Sequence, residues 1–157
     1  MQAITPPVQQ FIERMGFLME RVGAAKTLGR VMGLLLVATR PLSMDELSTL
    51  LLVSKASIST NARICEQAGF VQRVGVPGDR RTYYEILPGS FGRVLEARNA
   101  IIGEFQQLAE EGIDAISPEN SEARIRLEEM RDFYAFVSEG MEEMIATWKS
   151  ASEKKRK

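Results

Sequence analysis

The stretch from Pro41 to Phe70, PLSMDELSTLLLVSKASISTNARICEQAGF, limits what this chain can fold into more than any other part of it. Ser43 and Glu46 stand three apart ahead of an apolar run, which is the spacing of a capping box. That predicts a short helix with Met44, Leu47, Leu50 and Leu51 on its buried side. Val53 and Ser54 interrupt it, and Ser54 can cap a second helix over residues 55–68. Gly69 suits the left-handed position just past that helix, with Phe70 making the accompanying apolar contact. Two short helices joined by a tight turn form a helix-turn-helix.

The flanks extend this unit. A helix is expected from about Ala24 to Ala38, with Leu28, Val31, Leu35 and Ala38 on one face and Pro41 closing it. Gly29 and Gly33, four apart, permit a close helical neighbour; two incidental glycines are the alternative. After Gly69, FVQRV and TYYEI read as strands on either side of the turn GVPGDRR. The expected fold is mainly α with a small β-hairpin wing, a winged helix-turn-helix over residues 23–88.

Residues 1–22 read as a separate N-terminal helix, with Thr5 as N-cap, Pro6 at the first helical position, and Val8, Phe11, Ile12, Met15 and Met19 at helical spacing. Residues 89–150 read as two more helices. Phe91, Val94, Ile101, Phe105 and Leu108 mark the first, and SPEN breaks it, with Ser117 as cap and Pro118 opening the second. Leu127, Met130, Tyr134, Val137, Met141, Met144 and Trp148 then alternate by three and four, a heptad seam. Both terminal segments are expected to serve dimerisation; an intrachain hairpin of the two last helices is the alternative, and both can hold together. Residues 151–157, ending EKKRK, are expected to be a disordered basic tail.

Charge is distributed unevenly. The 157 residues carry a net charge of −1, which alone suggests no polyanionic partner. Yet residues 53–84 hold five basic groups (Lys55, Arg63, Arg73, Arg80, Arg81) against two acidic ones (Glu66, Asp79), while residues 93–157 hold ten against fourteen. Histidine is absent and Cys65 is the single cysteine, so no disulfide within the chain and no Cys/His zinc site can form. No nucleophile–base pair is visible and no cofactor motif is present, so the reading is not an enzyme. The acidic cluster Glu119, Glu122, Glu128, Glu129 and Asp132 fits no calcium loop. No apolar run reaches membrane-spanning length and no secretory leader is evident, which points to a cytoplasmic protein.

At about 100° per residue, Ile58, Ala62, Cys65 and Ala68 fall on one side of the second helix and Ala56, Ser59, Thr60, Arg63 and Gln67 on the other. Small residues near the N-terminus let the helix approach the floor of a DNA major groove. There Arg63 can grip a guanine and Ala56 touch a thymine methyl. Gln67 lies nearer the backbone, and Lys55 and the amides at the helix start suit a phosphate. Arg80 and Arg81 at the hairpin tip reach phosphates or the adjacent minor groove, and Tyr83 or Tyr84 the backbone. Cys65, on the inward side, reads as a small apolar residue.

The segments SKASIST…R and GFVQRV…G.R..YYE, with LGRVMGLLL before them, resemble the winged helix-turn-helix of the MarR superfamily, and within it the GbsR-type branch. The resemblance covers residues 28–86. It implies a homodimeric transcriptional regulator of bacteria or archaea, most often a repressor, bound to a pseudo-palindromic double-stranded operator. By match, Ser54, Lys55, Ser57, Ser59, Thr60 and Arg63 occupy recognition-helix positions and Arg80 and Arg81 the wing tip. It leaves room for a small-molecule effector, since some relatives respond to choline or other small molecules. Phe133, Tyr134, Phe136 and Trp148 are the candidate aromatic cage for a quaternary ammonium group, with heptad core as the alternative. A winged-helix protein-interaction module without DNA binding is the rival function.

Overall fold

Thr5 adopts extended backbone and Pro6 opens α1 (Pro6–Arg21), although the Thr5 side chain makes no capping bond. This is a computed structural model, and it describes residues 4–154. After α1 come α2 (Lys26–Val37), β1 (Leu42–Ser43), α3 (Met44–Leu51), α4 (Lys55–Gln67), β2 (Val71–Val74), β3 (Tyr83–Ile86), α5 (Ser90–Ala115) and α6 (Ser121–Lys154). The chain divides into two compact units, residues 1–90 and 91–157.

In the first unit α1 lies directly on α2, because glycines remove the side chains that would hold the helices apart. A Cβ on Gly29 would stand 2.3 Å from the Met15 carbonyl oxygen and 2.8 Å from Gly16 Cα. One on Gly33 would meet Met15 Cβ at 3.2 Å. The glycine pair is therefore a packing device. It also makes α1 part of the same compact unit as the helix-turn-helix. Glu13 on α1 pairs with Lys26 and Arg30 on α2. Arg30 Nε lies 2.7 Å from Glu13 but off the hydrogen-bond direction, so charge and not an aligned bond holds that pair.

The core beneath α3 and α4 consists of Val31, Leu34, Leu35, Leu47, Leu51, Ile58, Ala62, Phe70 and Val71. The turn between α3 and α4 is tied down from three directions. Arg30 Nη2 donates to the Leu51 carbonyl at 2.8 Å, the Ser48 hydroxyl to Val53 O at 2.6 Å, and Val53 N to Ser48 O at 3.1 Å. Leu52 sits at its apex with φ of 53°, a conformation costly for a residue with a side chain, and is 90% exposed.

The sheet has three strands in the order β1-β3-β2, all antiparallel. β1 was not expected from sequence: two residues carry no alternation, and pairing of Leu42 with Tyr84 and Ser43 with Tyr83 is what makes them a strand. Ser43 thus joins the sheet and caps α3 at once. Its hydroxyl accepts from Glu46 N at 3.2 Å, while the Glu46 carboxylate accepts from Ser43 N at 2.8 Å and Ser43 Oγ at 2.9 Å and from the Arg40 guanidinium. The Arg40 hydrogen bond, with help from Ser43, pulls the Glu46 carboxyl from its ordinary 4.5 down to about 2. A depressed carboxyl contributes stability that is fully present above its unfolded value and lost as pH falls through the folded one. Glu46→Gln is accordingly expected to flatten the loss of stability between pH 4.5 and about 2, read from urea midpoints across that range. Parallel profiles for variant and wild type would show that Glu46 titrates no part of the fold.

In the second unit α5 and α6 form an antiparallel hairpin. Gly112 meets the Leu127 side chain, Phe105 stacks on Tyr134 at 4.9 Å, Asn99 accepts from Ser138 Oγ at 3.1 Å, and Gly92 meets the Trp148 ring. The heptad seam therefore packs within the chain, and near its end the buried residue is Ile145 while Met144 is exposed. Ser117 caps only a turn; Asn120, accepting from Ala123 N at 3.2 Å, caps α6. Residues 151–154 continue α6 instead of forming a disordered tail, and 155–157 lie outside the described residues.

Candidate nucleic-acid interface

α4 is fixed at both ends by local chemistry. Ser54 Oγ accepts from Ser57 N at 3.3 Å. At the far end Gly69, at φ of 70°, lets Gly69 N reach Glu66 O and Phe70 N reach Cys65 O, both at 2.9 Å, while Phe70 drops into the core. Ile58, Ala62 and Cys65 face inward as expected. Ala68, expected inward, is exposed although it is the C-cap and keeps right-handed backbone angles; the chain turns away only at Gly69. Burial pushes the Cys65 thiol up to about 12, so it is a poor nucleophile.

Two residues of this helix escaped the sequence reading. Asn61 is buried, and its Nδ2 donates to the Ser57 carbonyl at 2.8 Å. A polar residue on an inward edge gives no sequence signal distinguishing it from a solvated one. Ile64, 43% exposed, follows Thr60 by one turn and borders the outward face with an apolar surface. An isoleucine outside the buried stripe was the available signal.

The outward face itself is open: Ala56, Ser59, Thr60, Arg63 and Gln67 are all exposed, and Ser57 lies at the edge. Thr60 turns its hydroxyl back to the Ala56 carbonyl at 3.1 Å. Lys55 at the helix start pairs with Asp45 at 2.6 Å. Both groups are largely exposed, so the pair is weakly held and can exchange for a phosphate.

The wing is more internally committed than its sequence suggests. Val76–Asp79 form a turn closed by Asp79 N to Val76 O at 3.0 Å, with Pro77 and then Gly78 at φ of 81° in the positions a type II turn favours. The Asp79 carboxylate accepts from Arg81 N at 2.9 Å, from the Arg81 guanidinium through Nε and Nη2, and from the Tyr83 hydroxyl at 2.8 Å. The Arg81 hydrogen bonds hold that carboxyl well below the usual carboxylate range, and the Tyr83 phenol is raised by its bond to Asp79. Tyr83 is buried and its hydroxyl is spent on Asp79, so it does not offer the backbone contact expected of it. Tyr84 is buried too.

Of the five basic residues in 53–84, three are thus paired: Lys55 with Asp45, Arg73 with Glu66 and Arg81 with Asp79. Among the described residues Arg63 and Arg80 are exposed and have no such partner. The aromatic cage does not form. Phe133 and Trp148 stand about 22 Å apart along α6 at 1.5 Å per residue. Tyr134 is stacked on Phe105, Trp148 lies on Gly92, and Phe136 is 76% exposed. No cluster of metal-ligating side chains is found among the described residues, and no helix there is long and apolar enough to cross a membrane.

Comparison with known proteins agrees with this architecture. A MarR family model matches residues 30–82, and the model for MmpR5-like MarR family transcriptional regulators matches residues 89–151. The chain is 38% identical to the HTH-type transcriptional regulator MmpR5 of Mycobacterium tuberculosis over 133 residues, 84% of this chain and 81% of that one. A crystal structure described as a transcriptional regulator superposes with a TM-score of 0.85 at 35% identity, covering 92% of this chain and 99% of that one. With its winged-helix unit and matched helical C-terminal region, the chain belongs to the MarR family of transcriptional regulators.

Proposed function

We propose that the chain is a homodimeric repressor that reads a pseudo-palindromic operator with α4 in the major groove and occludes a promoter. The observation that carries this is the outward face of α4, where Ser59, Thr60 and an unpaired Arg63 are exposed together on a helix locked at both ends. Arg63 supplies the bidentate base contact, and Ile64 adds an apolar surface for a thymine methyl. Ser54, Lys55 and Ser57 lie toward the phosphates at the helix start. Arg80 contacts the backbone or minor groove, and Arg81 does so only by leaving Asp79. Apolar side chains left exposed on α1 (Phe11, Leu18, Val22), α5 (Ile101, Phe105, Leu108) and α6 (Phe133, Phe136, Met144) favour a second copy as the partner. A two-fold dimer sets the recognition helices about 34 Å apart. Placement in the GbsR-type branch rests on the wing and recognition-helix resemblance alone. The protein acts where the chromosome is, in a bacterial or archaeal cytoplasm.

Selection of bound sequences from random duplexes tests this directly. Two related half-sites about one helical turn apart are expected, with binding that weakens steeply as salt rises. Recovery of no sequence preference and no salt dependence favours the protein-interaction module instead.

The wing supplies a prediction in which two effects oppose. Removing the Asp79 carboxylate takes a negative charge away from the phosphates, which by charge alone tightens binding. It also frees the Arg81 guanidinium and unpairs the Tyr83 hydroxyl, so the wing must be ordered on binding. Ordering costs dominate for short, exposed segments, so Asp79→Ala is expected to weaken operator binding about threefold to tenfold. Tighter binding in a gel-shift titration would mean that charge, not preorganisation, governs the wing.

A further inference from the structure

Arg30 of α2 touches two other helices at once. Its stem lies across α1 where a side chain is missing: a Cβ on Gly16 would stand 2.8 Å from Arg30 Cγ. Its Nε stands 2.7 Å from the Glu13 carboxylate, also on α1. Its Nη2 donates to the Leu51 carbonyl at the end of α3. That carbonyl is among the last four of a helix, which find no partner inside it, and a cation there also meets the negative end of the helix dipole. The next residue, Leu52, is held at φ of 53° and ψ of 44°, a left-handed conformation that glycine adopts freely and leucine does not. Its side chain is exposed, so burial does not offset the strain. Hydrogen bonds around it therefore hold the turn. Those between Ser48 and Val53 are local to α3 and the turn, whereas the one from Arg30 arrives from α2.

We propose that Arg30 is a positioning residue for α4: seated on α1 by Gly16 and Glu13, it clamps the α3–α4 turn in the left-handed form from which α4 starts. Ser54 caps α4 two residues after Leu52, so the backbone angles at Leu52 set the direction in which α4 leaves the turn. A turn that relaxes out of the left-handed form redirects α4. Only the clamped fraction then presents Ser59, Thr60 and Arg63 together, and apparent affinity falls in proportion to that fraction. α1 enters because it seats the clamp: Gly16 makes room for the stem and Glu13 holds the charge. The operator arm of the test rests on α4 as the recognition helix, while the state of the turn is read on the free chain.

The test is amide hydrogen exchange and operator titration on the full-length chain, both at a temperature where circular dichroism shows each variant folded. Arg30→Met keeps the stem and removes the donors. It is expected to speed exchange of the Val53 amide, which is bonded to Ser48 O, about threefold to tenfold, and to weaken operator binding by a similar factor. Adding Leu52→Gly removes the left-handed strain, so the double variant is expected to recover both to within about twofold of wild type. Glu13→Gln leaves Arg30 in place and is expected to move both in the direction of Arg30→Met by about twofold. Should Arg30→Met fail to fold, Glu13→Gln with and without Leu52→Gly carries the same comparison. A purely structural Arg30 would lower the thermal midpoint yet leave exchange at Val53 and affinity of the folded variant at wild type. Wild-type Val53 exchange in Arg30→Met, or no recovery with Leu52→Gly, overturns the clamp. Wild-type exchange in Glu13→Gln overturns the part given to α1. Exchange that responds while operator affinity does not overturns the positioning of α4. A wild-type chain that binds no duplex overturns the recognition reading instead, and exchange still decides the clamp.

Discussion

Gly29→Ala is expected to destabilise the protein by about 2–3 kcal/mol, although helix propensity alone favours alanine over glycine by about 1 kcal/mol. The sign follows from what the new methyl meets. It would stand 2.3 Å from a main-chain oxygen of α1 and 2.8 Å from the Cα of Gly16, and neither atom can swing aside as a side chain tip can. The two helices must therefore separate, which opens the packing around Ile12 and Val31, both almost fully buried. Gly33→Ala is the internal control, because its Cβ meets chiefly the Met15 side chain at 3.2–3.3 Å and the Ile12 Cα at 3.3 Å. Relief by a small shift of Met15 and the gain in propensity leave that variant near wild type, within about 1 kcal/mol. Urea unfolding followed by circular dichroism compares the two. Equal midpoints for both variants would mean that the α1–α2 crossing is looser than the distances imply.

Arg63→Ala is expected to lower affinity for the selected operator about tenfold to a hundredfold, the usual worth of a bidentate base contact. Because Arg63 has no ion pair to break among the described residues, its loss should leave stability unchanged, so the effect reports recognition alone. Affinity for unrelated duplex should fall much less, and base preference at one position of each half-site should relax. Arg63→Lys is not expected to restore the preference, since an ammonium lacks the planar fork. Arg80→Ala should weaken all sequences alike and make the salt dependence shallower, by about one unit of slope for each phosphate that the guanidinium neutralises. An Arg63→Ala protein that retains its base preference would assign the reading to another part of α4.

Much of the fold was legible because its signals act over a few residues. The capping box at Ser43 and Glu46, the cap at Ser54 and the left-handed Gly69 are all main-chain hydrogen-bond requirements met by neighbours in sequence. The same holds for the inward stripe Ile58, Ala62 and Cys65, which periodicity alone defines. The misses share another cause. β1 exists only because β3 lies beside it, and Ala68, still helical in its backbone, is exposed because burial at a helix end depends on what packs over it and not on spacing. Ser117 lost the capping role to Asn120 because several residues of SPEN can cap, and the turn geometry selects among them.

Local chemistry written in the chain determined the helix-turn-helix, the wing and the family, because caps, turns and apolar spacing need no distant partner. Tertiary structure alone decided which cations remain available, that Tyr83 braces the wing, that Gly29 is a contact point and that Trp148 packs on Gly92, far along α6 from Phe133 and Tyr134. Those outcomes depend on which atoms come within a few ångströms after the chain has folded back on itself, and sequence separation carries no measure of that distance.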